Sequence, residues 1–382
     1  MCCTCEPTAR LVIRMTNRVV ILVPNWSGGI DRLFDNINQS AESGFEISLF
    51  NTHGRSLSGL SFLPFRLVYY TSAFLYTLLL PLRLLAFFVL CLFGRVDVCH
   101  ANLSTGASTI RKGLFTLICR LFRIKYVIHL HGGDYRRFFR ALPAPLQAFA
   151  RSLYLNADRV IVLGSLWENY VVDELRVAPE NVVVLPNAAP GPENLDVSAR
   201  SRPPQIVFLG RLVESKGIVE LIDALSDSRV SALPWTAVLA GDGEILKFGN
   251  KVDELGLSDR IDTPGWVSAD AVDAVLRQSS IFVLPSHFEN LPLSMLEAMA
   301  YGLCCIVTPV GSVEDVIRND VNGIVVPVGD SVSLADALLS TLQDAELRDR
   351  LGQEARKNFL DMYDYRAYRG KLESIYQSVL SA

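Results

Sequence analysis

The feature that most limits the folds open to this chain is an alternation of short apolar runs with helical patterns, carried out twice. In the first half the runs are Val19 to Val23, Ile47 to Phe50, Val96 to His100, Tyr126 to His129, Val160 to Leu163 and Val182 to Leu185. In the second they are Ile206 to Leu209, Ala237 to Ala240, Ile281 to Leu284, Cys305 to Val307 and Ile324 to Val326. Such alternation predicts parallel sheets covered on both faces by helices, hence an α/β protein with two units. Pro186-Asn187-Ala188-Ala189-Pro190-Gly191-Pro192, followed by polar residues as far as Pro203-Pro204, reads as the linker between them. A chain of 382 residues, half of them apolar, supplies a core for each unit. There is no repeat of solenoid period and no low-complexity tract.

In α/β sheets the ligand sits beyond the carboxyl ends of the strands, so the loops there carry the chemistry. After Ile281 to Leu284 come Pro285-Ser286, a turn at Asn290 to Pro292, and a helix with Pro early in its first turn, which leaves backbone N–H groups free to meet an anion. Glu289 lies on the turn and Glu297 eight positions later on the helix, so the two carboxylates reach different parts of one ligand. After Ile206 to Leu209 comes Gly210-Arg211-Leu212-Val213-Glu214-Ser215-Lys216-Gly217, again opening a helix. Gly210 permits close backbone approach, Arg211 offers a planar fork to phosphate oxygens and Lys216 a point charge. These groups suit a sugar carried on a diphosphate.

These elements resemble the glycosyltransferase 4 family, retaining enzymes of the GT-B fold, in which two Rossmann-like domains face their parallel sheets across an interdomain cleft. The resemblance runs from about Arg18 to the C-terminus. Its motifs are Gly28-Gly29, His129-Leu130-His131-Gly132, Gly210 to Gly217, Gly241-Asp242-Gly243 and the Glu289/Glu297 pair ending in Glu-Ala-Met-Ala. It implies an acceptor domain over 15–190, rejoined by a terminal helix over 362–382, and a donor domain over 191–361. Separately, Met15-Thr16-Asn17-Arg18 just before the first apolar run reads as a start, so 1–14 is expected to be a disordered lead or a mis-assigned start. The resemblance also implies Glu289, His131, Arg211 and Lys216 as catalytic groups. Glu289 would meet the transferred sugar and its cationic transition state, His131 a sugar hydroxyl, and Arg211 with Lys216 the departing diphosphate. Glu297 would bind the ribose, with Gly28, Gly29, Gly210, Gly241, Gly243, Asn290 and Leu291 completing the donor site. Gly28-Gly29 is equally readable as a tight turn, and His129 as a satisfied core histidine. Gly265-Trp266-Val267 would border the nucleobase without identifying it.

No metal or other cofactor is expected, because an arginine, a lysine and a helix end already offset the diphosphate charge. The expected donor is a nucleotide diphosphate sugar, and the acceptor a glycan or a polyprenyl-diphosphate-linked sugar. A sugar-nucleotide epimerase, a phosphorylase or a non-catalytic nucleotide-sugar-binding subunit would share the architecture.

Charge and hydropathy bear on location. The net charge of −4 divides into +7 over Met1 to Pro190 and −11 over Gly191 to Ala382. No nucleic-acid partner is expected. The basic half, with Arg111, Arg120, Arg123, Arg136, Arg137 and Arg140, suits an anionic acceptor or membrane surface, or is simply a solvated face. Leu67 to Leu82 carries no charge, but Pro81 and Arg83 interrupt the stretch before it reaches the length of a simple span. Phe62, Phe65, Phe74, Phe87, Phe88 and Phe93, flanked by Arg55, Arg66 and Arg95, suit a helix lying in the membrane surface; a core helix remains the alternative. The eight cysteines show neither metal-ligand nor disulfide spacing, as expected of free thiols in a reducing cytosol. The expected location is therefore cytoplasmic, peripheral on the cytoplasmic face of the inner membrane through 62–95.

Overall fold

The structure, a computed structural model, describes residues 17–23, 45–52, 65–192, 194–196 and 203–382. Gly28, Gly29, Arg55, Phe62 and the segment 1–14 lie outside the described residues.

The first sheet is built from β1 (Asn17–Val23), β2 (Phe45–Asn51), β3 (Val98–Leu103), β4 (Lys125–Leu130), β5 (Arg159–Val162) and β6 (Val182–Val184). The second contains β7 (Gln205–Leu209), β8 (Thr236–Ala240), β9 (Ile261–Gly265), β10 (Ile281–Leu284), β11 (Cys304–Val307) and β12 (Ile324–Val325). The spatial orders are β2-β1-β3-β4-β5-β6 and β12-β11-β10-β7-β8-β9. Every neighbouring pair is parallel. β3 starts two residues later than its apolar run and continues through Asn102, whose polar side chain hid the strand end. β9 has no apolar run at all: its sequence is Ile-Asp-Thr-Pro-Gly. It is an edge strand, where a proline costs no ladder bond on the open side.

Alternation along β1 explains the layers. Val20 and Leu22 face a core with Phe87 and Cys91 of the helix Phe65–Leu92 and with Phe115 and Cys119 of the helix Ala107–Leu121. Phe50, Phe87 and Phe115 meet edge to face at centroid distances of 5.3 to 5.8 Å. Val19, Ile21 and Val23 face the opposite way, against Tyr368, Leu372, Ile375, Tyr376 and Val379 of the last helix, Tyr365–Ser381. Those five positions form one helical stripe. Each fully buried apolar side chain contributes about 1.5–3 kcal/mol, so the helix Tyr365–Ser381 is firmly seated on the first sheet. Asp364 caps this helix by accepting from the Arg366 N–H at 2.8 Å. The second sheet has its own core, around Phe208, Leu239, Val283 and Ile306.

The helix Phe65–Leu92 has 28 residues and continues through Pro81. Phe87 and Cys91 are buried, whereas Leu82, Leu85, Val89 and Leu92 are exposed on the other side. No helix among the described residues is long and apolar enough to cross a membrane.

Candidate functional site

The loops at the carboxyl ends of β4, β5, β7, β8 and β10 line two adjoining cavities of about 640 and 470 Å³. Arg211, Gly241, Asp242, Trp266, Glu297 and Tyr365 line the larger. His131, Gly133, Lys216, Glu289, Asn290 and Leu291 line the smaller. The two share Leu209, Gly210, Arg211, Leu293 and Ser294. The structure thus gathers the expected site residues that it describes around one continuous space, except Gly243. That glycine lies behind the Arg211 loop, where a β-carbon would meet the Leu212 carbonyl.

The turn after β10 is held from the first half of the chain. Asn187 Nδ2 donates to the Leu291 carbonyl at 2.9 Å, and Asn290 Nδ2 donates to the Leu130 carbonyl at 3.4 Å. A β-carbon on Gly133 would lie 2.7 Å from the Glu289 backbone carbonyl, so only glycine lets the loop after β4 approach this turn so closely. Further out, Asp315 accepts from the Ser165 N–H at 2.8 Å and from its hydroxyl at 2.7 Å, a second link between the halves. The helix Leu293–Ala300 follows, with Pro292 at its N-cap and not, as the sequence suggested, inside the first turn. Proline has no side-chain acceptor and the helix has no side-chain cap, so its first N–H groups meet the junction of the cavities without one.

Charges are arranged in pairs. Lys216 Nζ lies 2.5 Å from Glu289 Oε1, and the Ser286 hydroxyl donates to the same oxygen at 2.9 Å. Arg211 Nε is 3.4 Å from Asp242 Oδ1, and both side chains are largely exposed to the cavity mouth. One helical turn beyond Glu297, the Tyr301 hydroxyl bonds Asp273. Arg277 reaches the other oxygen at 2.8 Å and, with Tyr301, holds the Asp273 carboxyl below the usual range. Among the described residues no group of three or more His, Cys, Asp or Glu side chains is placed to hold a metal ion.

His131 is buried at the edge of the smaller cavity, where its Nε2 is 3.1 Å from Asn102 Oδ1. Its ring lies against that of His129 at a centroid distance of 3.9 Å. His129 Nδ1 is 3.2 Å from His100 Nε2, and His100 Nδ1 is 2.7 Å from the Tyr376 hydroxyl of the last helix. Burial holds all three imidazoles neutral: His100 is pushed down to about 3, and His129 and His131 fall well below their ordinary value. Asn102, Asn187, Asp273 and Tyr301 were not found from sequence, because no local pattern marks a polar residue whose partner is distant in the chain.

The glycosyl transferases group 1 family model matches residues 192–358, and the glycosyl transferase 4-like domain model matches residues 38–188. The chain belongs to this glycosyltransferase family. It is 25% identical over 281 residues to alpha-D-kanosaminyltransferase of Streptomyces kanamyceticus, covering 69% of this chain and 73% of that one. It is 26% identical over 304 residues to the UDP-Gal:alpha-D-GlcNAc-diphosphoundecaprenol alpha-1,3-galactosyltransferase of Escherichia coli, covering 74% and 75%. Among solved structures it resembles sucrose-phosphate synthase from Thermosynechococcus elongatus, with a TM-score of 0.74 at 18% identity over 96% of this chain and 99% of that one. It also resembles Anabaena HepE in complex with UDP-glucose, with a TM-score of 0.69 at 16% identity over 94% and 99%. The fold is GT-B, and the protein is a glycosyltransferase.

Proposed function

We propose that this enzyme transfers a hexosyl residue, with retention of anomeric configuration, from a nucleotide diphosphate sugar to a glycan or polyprenyl-diphosphate-linked acceptor in surface polysaccharide synthesis. The observation that carries the reading is the junction of the two cavities at Gly210-Arg211 and Leu293-Ser294. A nucleoside in the larger cavity, its ribose diol on Glu297, would extend its diphosphate past Arg211 and the N-terminus of the helix Leu293–Ala300. The sugar would then enter the smaller cavity, between His131 and Glu289. The E. coli relative uses a UDP-sugar and a diphosphoundecaprenol-linked acceptor, and the solved HepE complex holds UDP-glucose. Both support this class of donor.

In the reaction, the bond from C1 to the diphosphate oxygen breaks and its electron pair leaves with the phosphate. The acceptor oxygen bonds C1 on the same face, and its proton passes to the departing diphosphate. Arg211, Lys216 and the helix N–H groups stabilise the negative charge as it develops, and such differential stabilisation is what raises turnover. Glu289, engaged by Lys216 and Ser286, serves the cationic sugar as a countercharge.

The acceptor side is assigned to a membrane surface. Exposed Leu82, Leu85, Val89, Leu92 and Phe93 continue across the Phe88–Phe122 ring contact to exposed Leu117 and Leu121, with exposed Arg95, Arg120 and Arg123 beside them. Apolar residues rimmed by arginines suit shallow seating on anionic lipid. The deciding experiment offers UDP-, GDP- and ADP-sugars with a lipid-linked acceptor and follows products by mass spectrometry. A sugar-extended acceptor with free nucleotide diphosphate supports the reading. An interconverted donor, or binding without product, overturns it.

A further inference from the structure

Asn102 Nδ2 donates to the Leu22 carbonyl at 3.4 Å, while Asn102 Oδ1 lies 3.1 Å from His131 Nε2. The Leu22 carbonyl only accepts, which fixes the amide with its NH₂ toward β1 and its oxygen toward the imidazole. The amide oxygen also only accepts, so Nε2 of His131 must carry the hydrogen. A neutral imidazole has one such hydrogen, and Nδ1 is left as a lone pair. The residue that sets this proton is itself anchored: Lys112, 2% exposed on the helix Ala107–Leu121, donates from Nζ to the Asn102 backbone carbonyl.

We infer that Asn102, held by Leu22 and Lys112, is a positioning residue that keeps His131 as the neutral Nε2–H tautomer, so that this imidazole stands beside the transferred sugar as a neutral ring of fixed orientation and not as a cationic acid. The inference rests on the reading that His131 stands beside that sugar. The surroundings agree with it. His129 packs on the ring of His131, and His100 stands behind His129 with Tyr376. Burial first, then His100 and Lys112, disfavour an imidazolium at His131. From the cavity side, Asp134, Lys216 and Glu289 line the same space, and Lys216 and Glu289 offset one another. Together these groups hold His131 neutral, in the orientation that Asn102 imposes.

The test is nitrogen-15 NMR of the full chain labelled at histidine, with the His131 resonances assigned by their loss in His131→Gln. The expected parent spectrum shows the Nε2–H tautomer and no titration between about pH 5 and 8. Asn102→Asp puts an anionic acceptor at the same place; a His131 titration should then move up by about 1–3 pH units, and the pH–rate profile should gain a limb absent from the parent. Asn102→Ala should lose the tautomer preference. An Nδ1–H tautomer or an ordinary titration in the parent overturns the inference, even if the Asn102 variants do not fold. So does an Asn102→Asp protein whose spectrum and pH–rate profile match the parent's. If the spectra are as expected but His131→Gln transfers sugar at the parent rate, the placement of His131 beside the sugar fails while Asn102 still sets the tautomer.

Discussion

Lys216 and Glu289, 73 residues apart in the chain, form an ion pair with Nζ 2.5 Å from Oε1. The pair ties the loop after β7 to the turn after β10, and on the proposed reading a bound diphosphate would compete with Glu289 for the ammonium. Lys216→Ala leaves a carboxylate that is only 11% exposed, with the Ser286 hydroxyl as its remaining hydrogen-bonding partner among the described residues. The expected loss is about 1–3 kcal/mol of stability, read from thermal denaturation. Removal of one donor to the leaving group should also cost on the order of 100-fold or more in kcat. A folded Lys216→Ala protein with the parent kcat would remove Lys216 from the reaction.

Gly133 does not adopt a positive φ, so alanine suits its backbone. The obstacle is across the cleft, where the new β-carbon would lie 2.7 Å from the Glu289 backbone. Gly133→Ala should therefore force the loop after β4 and the turn after β10 apart. A 1 Å misplacement of reacting groups can cost about 100-fold, so kcat/KM should fall steeply while the melting temperature changes little. Equal losses of both would mean that the contact serves folding alone.

Transfer should not require a divalent ion if, as proposed, Arg211, Lys216 and the helix N-terminus all offset the charge of the diphosphate. Rates in excess chelator and in added magnesium should agree within about twofold, since on the proposed reading fixed protein donors supply the stabilisation. Loss of activity in chelator, restored by a divalent ion, would contradict this.

The repeated alternation of apolar runs located eleven of the twelve strands among the described residues, because strands buried on both faces must be apolar nearly throughout. β9 escaped because an edge strand with Pro264 needs no such run. The carboxylate pair and the Arg211 to Lys216 spacing were legible because each lies within one loop and its adjoining helix. The contacts that set their geometry were not. Asn187 to Leu291, Gly133 to Glu289 and Ser165 to Asp315 each join distant parts of the chain. The histidine row is the clearest case: His-Leu-His is visible in β4, but His100 and Tyr376 join it only when β3 and the last helix pack together.

That row gives the protein an acid sensitivity. Folded-state values below the ordinary imidazole value of 6.5 mean that the unfolded chain takes up protons first as pH falls. The stability is therefore fully present above about pH 6.5 and is lost below it, at up to about 1.4 kcal/mol per pH unit for each imidazole. For His100 the loss continues to about pH 3. Urea midpoints measured from neutral to mildly acid pH should show this slope, and His100→Gln should flatten it whatever its effect at neutral pH. A slope unchanged by that substitution would mean that His100 titrates normally.

The apolar side of the helix Phe65–Leu92 provides the last test. Leu82, Leu85, Leu92 and Phe93 are 57% to 71% exposed, while Phe87 on the opposite side is fully buried. Their exposure is a cost in water that insertion into lipid would recover, at about 25 cal/mol for each Å² of apolar surface covered. Arg95, Arg120 and Arg123 should each add about 1 kcal/mol near an anionic surface. The protein should therefore sediment with vesicles containing anionic phospholipid and only weakly with zwitterionic ones. High salt should weaken the attachment by screening the arginines, and Leu85→Asp with Phe93→Asp should abolish it without changing transfer to a soluble acceptor analogue. Equal binding of the double variant would place the lipid contact elsewhere. No sedimentation of the parent with any vesicle would leave this face without a membrane role.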